Sequence, residues 1–198
     1  KIAIQNHQNN NLKNAGKIYQ KILSYDPNHM DANNNLGLIF YEFKDFKKSL
    51  ICYQKVIEIN PNNSHTHHNL GLLFYAQKEF EKAIIHYKKA IEINSNYFSA
   101  YYNLGLTYQT LKNFNEAINC YKNAINLNPK YKIALNNLGI ISFEIGNLKD
   151  ALSYYEKAIM VDPKFGDAFH NLGMVLRELG EYEKAKECYE KAININPK

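Results

Sequence analysis

Residues 67–96 read HHNLGLLFYAQKEFEKAIIHYKKAIEINSN, and residues 33–63 read NNNLGLIFYEFKDFKKSLICYQKVIEINPNN. The two align without a gap at an offset of 34 residues, and the cadence returns at 101–129, 136–163 and 170–197. A fixed period of about 34 residues marks a chain built from stacked copies of one small unit. Within a copy the apolar residues have helical spacing: Leu70, Leu73 and Phe74 share one face, as do Ala83, Ile84, Tyr87 and Ile91. Strand-type alternation is absent. Each unit is expected to be helix A, a short turn near its positions 14 to 16, and helix B. The copies run 30–63, 64–97, 98–131, 132–165 and 166–198, after a truncated copy over 1–29, so that one array spans 1–198.

Small and punctuating residues recur in phase. Position 8 is Gly37, Gly71, Gly105, Gly139 and Gly173. Glycine costs about 1 kcal/mol inside a helix, so its return predicts a close approach between helices. Position 20 is Ala15, Ser49, Ala83, Ala117, Ala151 and Ala185, and position 24 is Tyr19, Tyr53, Tyr87, Tyr121, Tyr155 and Tyr189. Every proline falls at position 32, where it stops helix B. Ser95 takes that place once and predicts a looser turn. Asn113, with Glu116 three residues on, predicts a capping box at the start of a helix B.

The composition, 45% apolar and 22% charged with net charge +5, is that of a foldable chain. No run reaches the 18 or so apolar residues of a membrane span, so no membrane partner is expected. The chain opens on Lys1 in a polar stretch, which predicts no leader peptide and a piece of a longer protein. No GxSxG, HExxH, phosphate-cradling loop or dinucleotide fingerprint is present, so neither catalysis nor a cofactor is expected. Cys52, Cys120 and Cys188 all sit at position 23, two repeats apart. That is too far for bridging, and free thiols predict an intracellular compartment, cytoplasmic or nuclear. His65 and His68 share a helix face but lack further ligands, so no metal site is expected. Lys21, Lys55, Lys89, Lys157 and Lys191 recur at position 26. They read as the solvated outside of helix B, and a nucleic-acid partner is not expected.

Asn-Leu-Gly at positions 6 to 8, small residues at 20 and 27, an aromatic at 24 and proline at 32 together resemble the tetratricopeptide repeat (TPR) family. The resemblance runs through the whole chain in register. The bulky aromatic usual at position 4 is replaced by Asn33, His67, Tyr101, Leu135 and Phe169. The fold it implies is all-α: a right-handed α-solenoid of stacked helix-turn-helix repeats, five complete and one truncated. The function it implies is a protein–protein interaction scaffold that takes extended protein segments along a concave wall made by the A helices.

The family's contact positions include 5, 9 and 12, whose spacing keeps them near one helix face. They hold His68, Leu72 and Tyr75, then Tyr102 and Leu106, Asn136 and Ile140, and His170 and Met174. Position 6 is Asn35, Asn69, Asn103, Asn137 and Asn171 without exception. An amide has two donors and an acceptor, matching a peptide main chain, and five in phase could grip an extended segment. The same amides could instead tie each helix to its neighbour, and the sequence leaves both open. The row is also similar to the superhelical arm of O-GlcNAc transferases. That alternative makes the chain the substrate-recognition region of a glycosyltransferase whose catalytic domain lies elsewhere. The co-chaperone clamp for C-terminal carboxylates is absent, since position 6 is never Arg and position 9 is apolar. The last copy ends on helix B, so Tyr182, Tyr189 and Ile193 are expected to have an open side through which the chain could self-associate.

Overall fold

The computed structural model describes residues 11–197. The first ten residues of the truncated copy, with Asn9 and Asn10, and the final Lys198 lie outside them. Among the described residues there are eleven α-helices and no strand. They are α1 (Leu12–Tyr25), α2 (Met30–Glu42), α3 (Phe46–Ile59), α4 (Ser64–Ala76), α5 (Phe80–Ile93), α6 (Phe98–Thr110), α7 (Phe114–Leu127), α8 (Lys132–Glu144), α9 (Leu148–Val161), α10 (Gly166–Glu178) and α11 (Tyr182–Ile195). Helix A has 13 residues and helix B 14 in each complete copy. The chain is an all-α solenoid. It divides into two compact units, 1–95 and 96–198.

The turn between helix A and helix B is set by hydrogen-bond closure. In the first complete repeat Lys44 N–H donates to Tyr41 O at 2.9 Å and Asp45 N–H to Phe40 O at 2.8 Å. This double closure needs a left-handed residue at its centre. Lys44, Lys78, Lys112, Gly146 and Gly180 all have positive φ there. Helix B then starts on a side-chain cap where one is offered. Asp45 Oδ1 accepts from Lys48 N–H at 3.2 Å, and Asn147 Oδ1 from Asp150 N–H at 3.2 Å. Asn113 makes no such bond, so the expected capping box does not form at α7. Closure of the preceding turn already fixes the entry into α7, since Asn113 N–H donates to Tyr108 O at 2.9 Å.

Helix B stops the same way with or without proline. Asn60, before Pro61, has φ −137° and ψ 93°. Asn94, before Ser95, has φ −133° and ψ 94°. The helix end at Asn94 thus keeps the backbone of the proline-bearing copies. The position-31 side chain holds these turns: Asp26, Asn60, Asn128 and Asp162 each accept from the N–H two residues on. Asn94 keeps that residue type.

Each hairpin is zipped by its glycine and its tyrosine. A Cβ placed on Gly37 would stand 2.6 Å from Tyr53 Cε1, and one on Gly105 would stand 2.9 Å from the Tyr121 ring. The close approach predicted at position 8 is therefore that of a ring lying flat on bare backbone. Ala83, Ala90, Ala117, Ala124, Ala151 and Ala158 are fully buried in helix B. Within 1–95 the core gathers Ala15, Tyr19, Ala32, Leu36, Ile39 and Cys52. Within 96–198, Ala117, Tyr121, Ala134, Leu138 and Ile141 form one cluster, and Ala151, Tyr155, Leu172, Val175 and Leu176 lie in the next.

Candidate binding surface

Positions 5, 6 and 9 place the row picked from sequence along the A helices. All five position-6 asparagines, Asn35, Asn69, Asn103, Asn137 and Asn171, are half-buried. So are Leu38, Leu72, Leu106, Ile140 and Met174 at position 9. A half-buried amide beside a half-buried aliphatic can meet a ligand while its base stays fixed.

In the first unit, Asn69 Nδ2 on α4 donates to Asn34 Oδ1 on α2 at 3.2 Å, and Thr66 Oγ1 donates to the same oxygen at 3.1 Å. His68 is buried with its ring 5.8 Å from that of Tyr87. Burial pushes its pKa down to about 4, against a hydrogen bond with Asn69, so the ring is neutral at pH 7. Tyr75 packs edge-on against Phe80 at 5.5 Å.

The second unit repeats the scheme with variations. Asn171 Nδ2 on α10 donates to Asn136 Oδ1 on α8 at 3.0 Å. Asn137 Nδ2 donates to Tyr121 Oη at 3.1 Å, and Tyr121 Oη donates onward to Gln109 Oε1 at 2.7 Å. Tyr102 packs on Tyr121 at 5.7 Å and Tyr131 at 5.0 Å, and His170, exposed, lies 5.6 Å from Tyr189. The rule is legible. An Asn at position 5 accepts from the asparagine of the following copy, whereas a ring there lies over its own repeat's tyrosine. Asn69, Asn137 and Asn171 thus each spend one donor on a tie to the preceding copy. Each amide has a second donor and a carbonyl in addition.

Asn136, Ile140, His170 and Asn171 come together in one cleft of about 880 Å³ within the second unit. Tyr189, Ala192 and Ile193 of α11, Asn196 just past its end and Asp167 of α10 also line it. The sequence reading assigned Tyr189 and Ile193 to an open end without joining them to the row. The signal is the invariant tyrosine at position 24, which lines the cleft at Tyr189. A second pairing was also missed. His67 Nδ1 lies 3.1 Å from His86 Nδ1, and His67 Nε2 lies 2.9 Å from Pro61 O.

Two of the position-26 lysines are engaged in ion pairs, Lys55 with Glu58 and Lys89 with Glu92. Lys157 and Lys191 rest over the rings of Tyr154 and Phe169. Cys52, Cys120 and Cys188 are buried free thiols. Among the described residues no three His, Cys, Asp or Glu side chains gather as metal ligands, and no helix is long and apolar enough to cross a membrane.

Comparison with known families places the chain in company. A tetratricopeptide repeat model matches residues 31–63, 98–131, 133–165 and 166–198. A TPR repeat model matches 71–112, and another tetratricopeptide repeat model matches 52–85. A search of the curated proteins finds no match. Among solved structures the chain is similar to MamA, with 28% identity and a TM-score of 0.75 over 81% of this chain and 94% of that one. It is similar in fold to YrrB, described as a TPR protein with an unusual peptide-binding site, with 23% identity, TM-score 0.73 and coverage of 90% and 92%. It is also similar in fold to PilW, a type IV pilus biogenesis factor, with 20% identity, TM-score 0.86 and coverage of 98% and 90%.

Proposed function

The chain belongs to the tetratricopeptide repeat family, and from that premise we propose that it is a scaffold that binds extended protein segments along its A helices. One observation carries the reading. Four residues picked from sequence, Asn136, Ile140, His170 and Asn171, line one cleft large enough for several side chains. The row supplies two kinds of contact. Half-buried amides meet main-chain N–H and C=O groups without reading side chains, and the apolar residues at position 9 meet every few side chains of the segment. His68, Leu72 and Tyr75, with Tyr102 and Leu106, supply the same mixture on the earlier helices, and Met174 supplies it on α10.

The bonds between successive asparagines support this reading. An amide already anchored by one hydrogen bond loses little freedom when a ligand takes its remaining groups, which lowers the cost of binding. The test is the variant Asn69→Ala, Asn103→Ala, Asn137→Ala, assayed against captured cell proteins and then against peptides cut from them. Capture should fall at least tenfold while the far-ultraviolet circular dichroism stays helical. Undiminished capture removes the amide row from the mechanism. Were a transferase domain encoded beside this segment, the same face would serve as that enzyme's substrate-selecting arm, and the same variant would lower transfer to protein acceptors.

A further inference from the structure

The histidine couple in the α4–α5 hairpin has a geometry that packing does not demand. His67 on α4 and His86 on α5 face each other with their Nδ1 atoms 3.1 Å apart and their ring centres 5.3 Å apart, so both nitrogens lie in the gap between the rings. His67 Nε2 lies 2.9 Å from Pro61 O, which places its proton there and leaves its Nδ1 bare. Phe74 stacks on His86 at 5.3 Å, with the ring planes 15° apart, and steadies that ring. In the other complete copies the same positions, 4 and 23, hold Asn33 and Cys52, Tyr101 and Cys120, Leu135 and Tyr154, and Phe169 and Cys188. Of these five copies, this one alone carries an imidazole at both. Withdrawing two imidazoles from water costs solvation that a thiol or an aliphatic side chain does not.

We infer that His67 and His86 together hold a late first-row divalent metal ion, of the zinc type, between their Nδ1 atoms. Two nitrogens bound to zinc at about 2.0–2.1 Å and a tetrahedral angle stand about 3.3–3.4 Å apart, so the rings need part by only about 0.2–0.3 Å. The anchor of His67 Nε2–H on a backbone carbonyl is the outer contact that orients metal-bound histidines. The ion takes the place of the proton shared by the two Nδ1 atoms, and that proton passes to His86 Nε2, so both rings stay neutral. Burial already favours the neutral ring, pushing the His86 pKa down to about 4, which removes proton competition at pH 7. His86 also borders a cavity of about 430 Å³ that Gln54 and Glu58 of α3 line. The ion enters there, and water or these side-chain oxygens complete its coordination. Imidazole donors suit zinc, copper and nickel, whereas magnesium and calcium want oxygen cages. His65 and His68, which share a helix face, take no part, since His68 packs on Tyr87. A bound ion staples helix A to helix B of one repeat and stabilises the folded hairpin by mass action. The inference rests on none of the contacts used for peptide capture.

The probe is zinc chloride, added at neutral pH to the metal-stripped 198-residue chain and followed by titration calorimetry. Saturable uptake of one ion per chain is expected, and the urea midpoint should rise with free zinc. His86→Leu should weaken uptake at least tenfold, and His65→Ala should leave it unchanged. Proton–nitrogen correlation spectra of the wild-type imidazoles answer the same question without a variant. Zinc should move the Nδ1 resonances of His67 and His86 and leave those of His29 and His65 in place. Equal zinc affinity in the wild type and His86→Leu overturns the assignment, as do shifts confined to other histidines. So does the absence of saturable uptake by the wild-type chain, an outcome that leaves the couple as a hydrogen bond alone.

Discussion

Lys44, Lys78 and Lys112 occupy the left-handed backbone region, at φ 59°, 63° and 60°, where Gly146 and Gly180 stand in later copies. A side chain there costs about 1 kcal/mol, part of which glycine returns as unfolded-state entropy. Each single Lys→Gly change should therefore raise stability by about 0.5–1 kcal/mol, read as a higher urea midpoint at unchanged slope. The opposite sign is expected at Gly37. Alanine gains about 1 kcal/mol of helix propensity, but its Cβ would press on a fully buried Tyr53 ring, and overpacking costs about 1–3 kcal/mol. Gly37→Ala should lower the midpoint, and an unchanged midpoint would mean the ring can slide aside. Two tyrosines at the same repeat position separate in a third test. Tyr121 Oη holds Gln109 and Asn137, whereas Tyr155 Oη is buried with no hydrogen-bond partner. Tyr121→Phe should cost about 1 kcal/mol, and Tyr155→Phe should be neutral or stabilising.

Pairs of helices explain which features could be foreseen. Helix bounds, turn positions and the tyrosine–glycine zipper follow from a strict 34-residue period, because every copy repeats the same local demand. What escaped was correlated across helices. Positions 4 and 23 meet across the hairpin: Asn33 and Cys52 border one cavity, His67 and His86 lie in contact in the next copy, and Leu135 and Tyr154 pack together further on. The two residues change together from copy to copy, which no single position reveals. The direction in which the asparagines turn was illegible for a similar reason, since it depends on whether the preceding copy offers an Asn or a ring. In the α4–α5 pair the shared space became a histidine couple. His67 Nε2–H donates to Pro61 O, so its Nδ1 accepts the proton that His86 Nδ1 donates. Phe74 stacks on His86 at 5.3 Å, and Glu58 and Gln54 of α3 line the cavity that His86 borders. Burial, and then the neighbouring His67, push the His86 pKa down to about 4, while burial does the same to His68. The unfolded chain takes up these protons near pH 6.5, before the folded one does. The stabilisation is full above about pH 6.5 and is lost as pH falls toward 4, on the order of 1 kcal/mol per histidine after allowing for solvent screening. Urea midpoints at pH 7.0, 5.5 and 4.5 should fall, and His86→Leu should flatten the decline.

Repeats of this family interact chiefly with their neighbours in the chain. Each unit has its own core, so a fragment over 96–198 should be helical and melt cooperatively when made alone. A fragment without a thermal transition would show that its joints need the earlier copies. Cysteines bear on the same question. Cys52, Cys120 and Cys188 stand at one position in alternate copies, and burial pushes the Cys52 thiol up to about 11 and raises Cys188 as well. At pH 8 such thiols stay protonated and slow to react until their hairpin opens. Nature has thus set three evenly spaced timers along the array, and alkylation followed by mass spectrometry reads each one separately. The timer on α11 should run out first, giving the order in which the stack comes apart without a single engineered label.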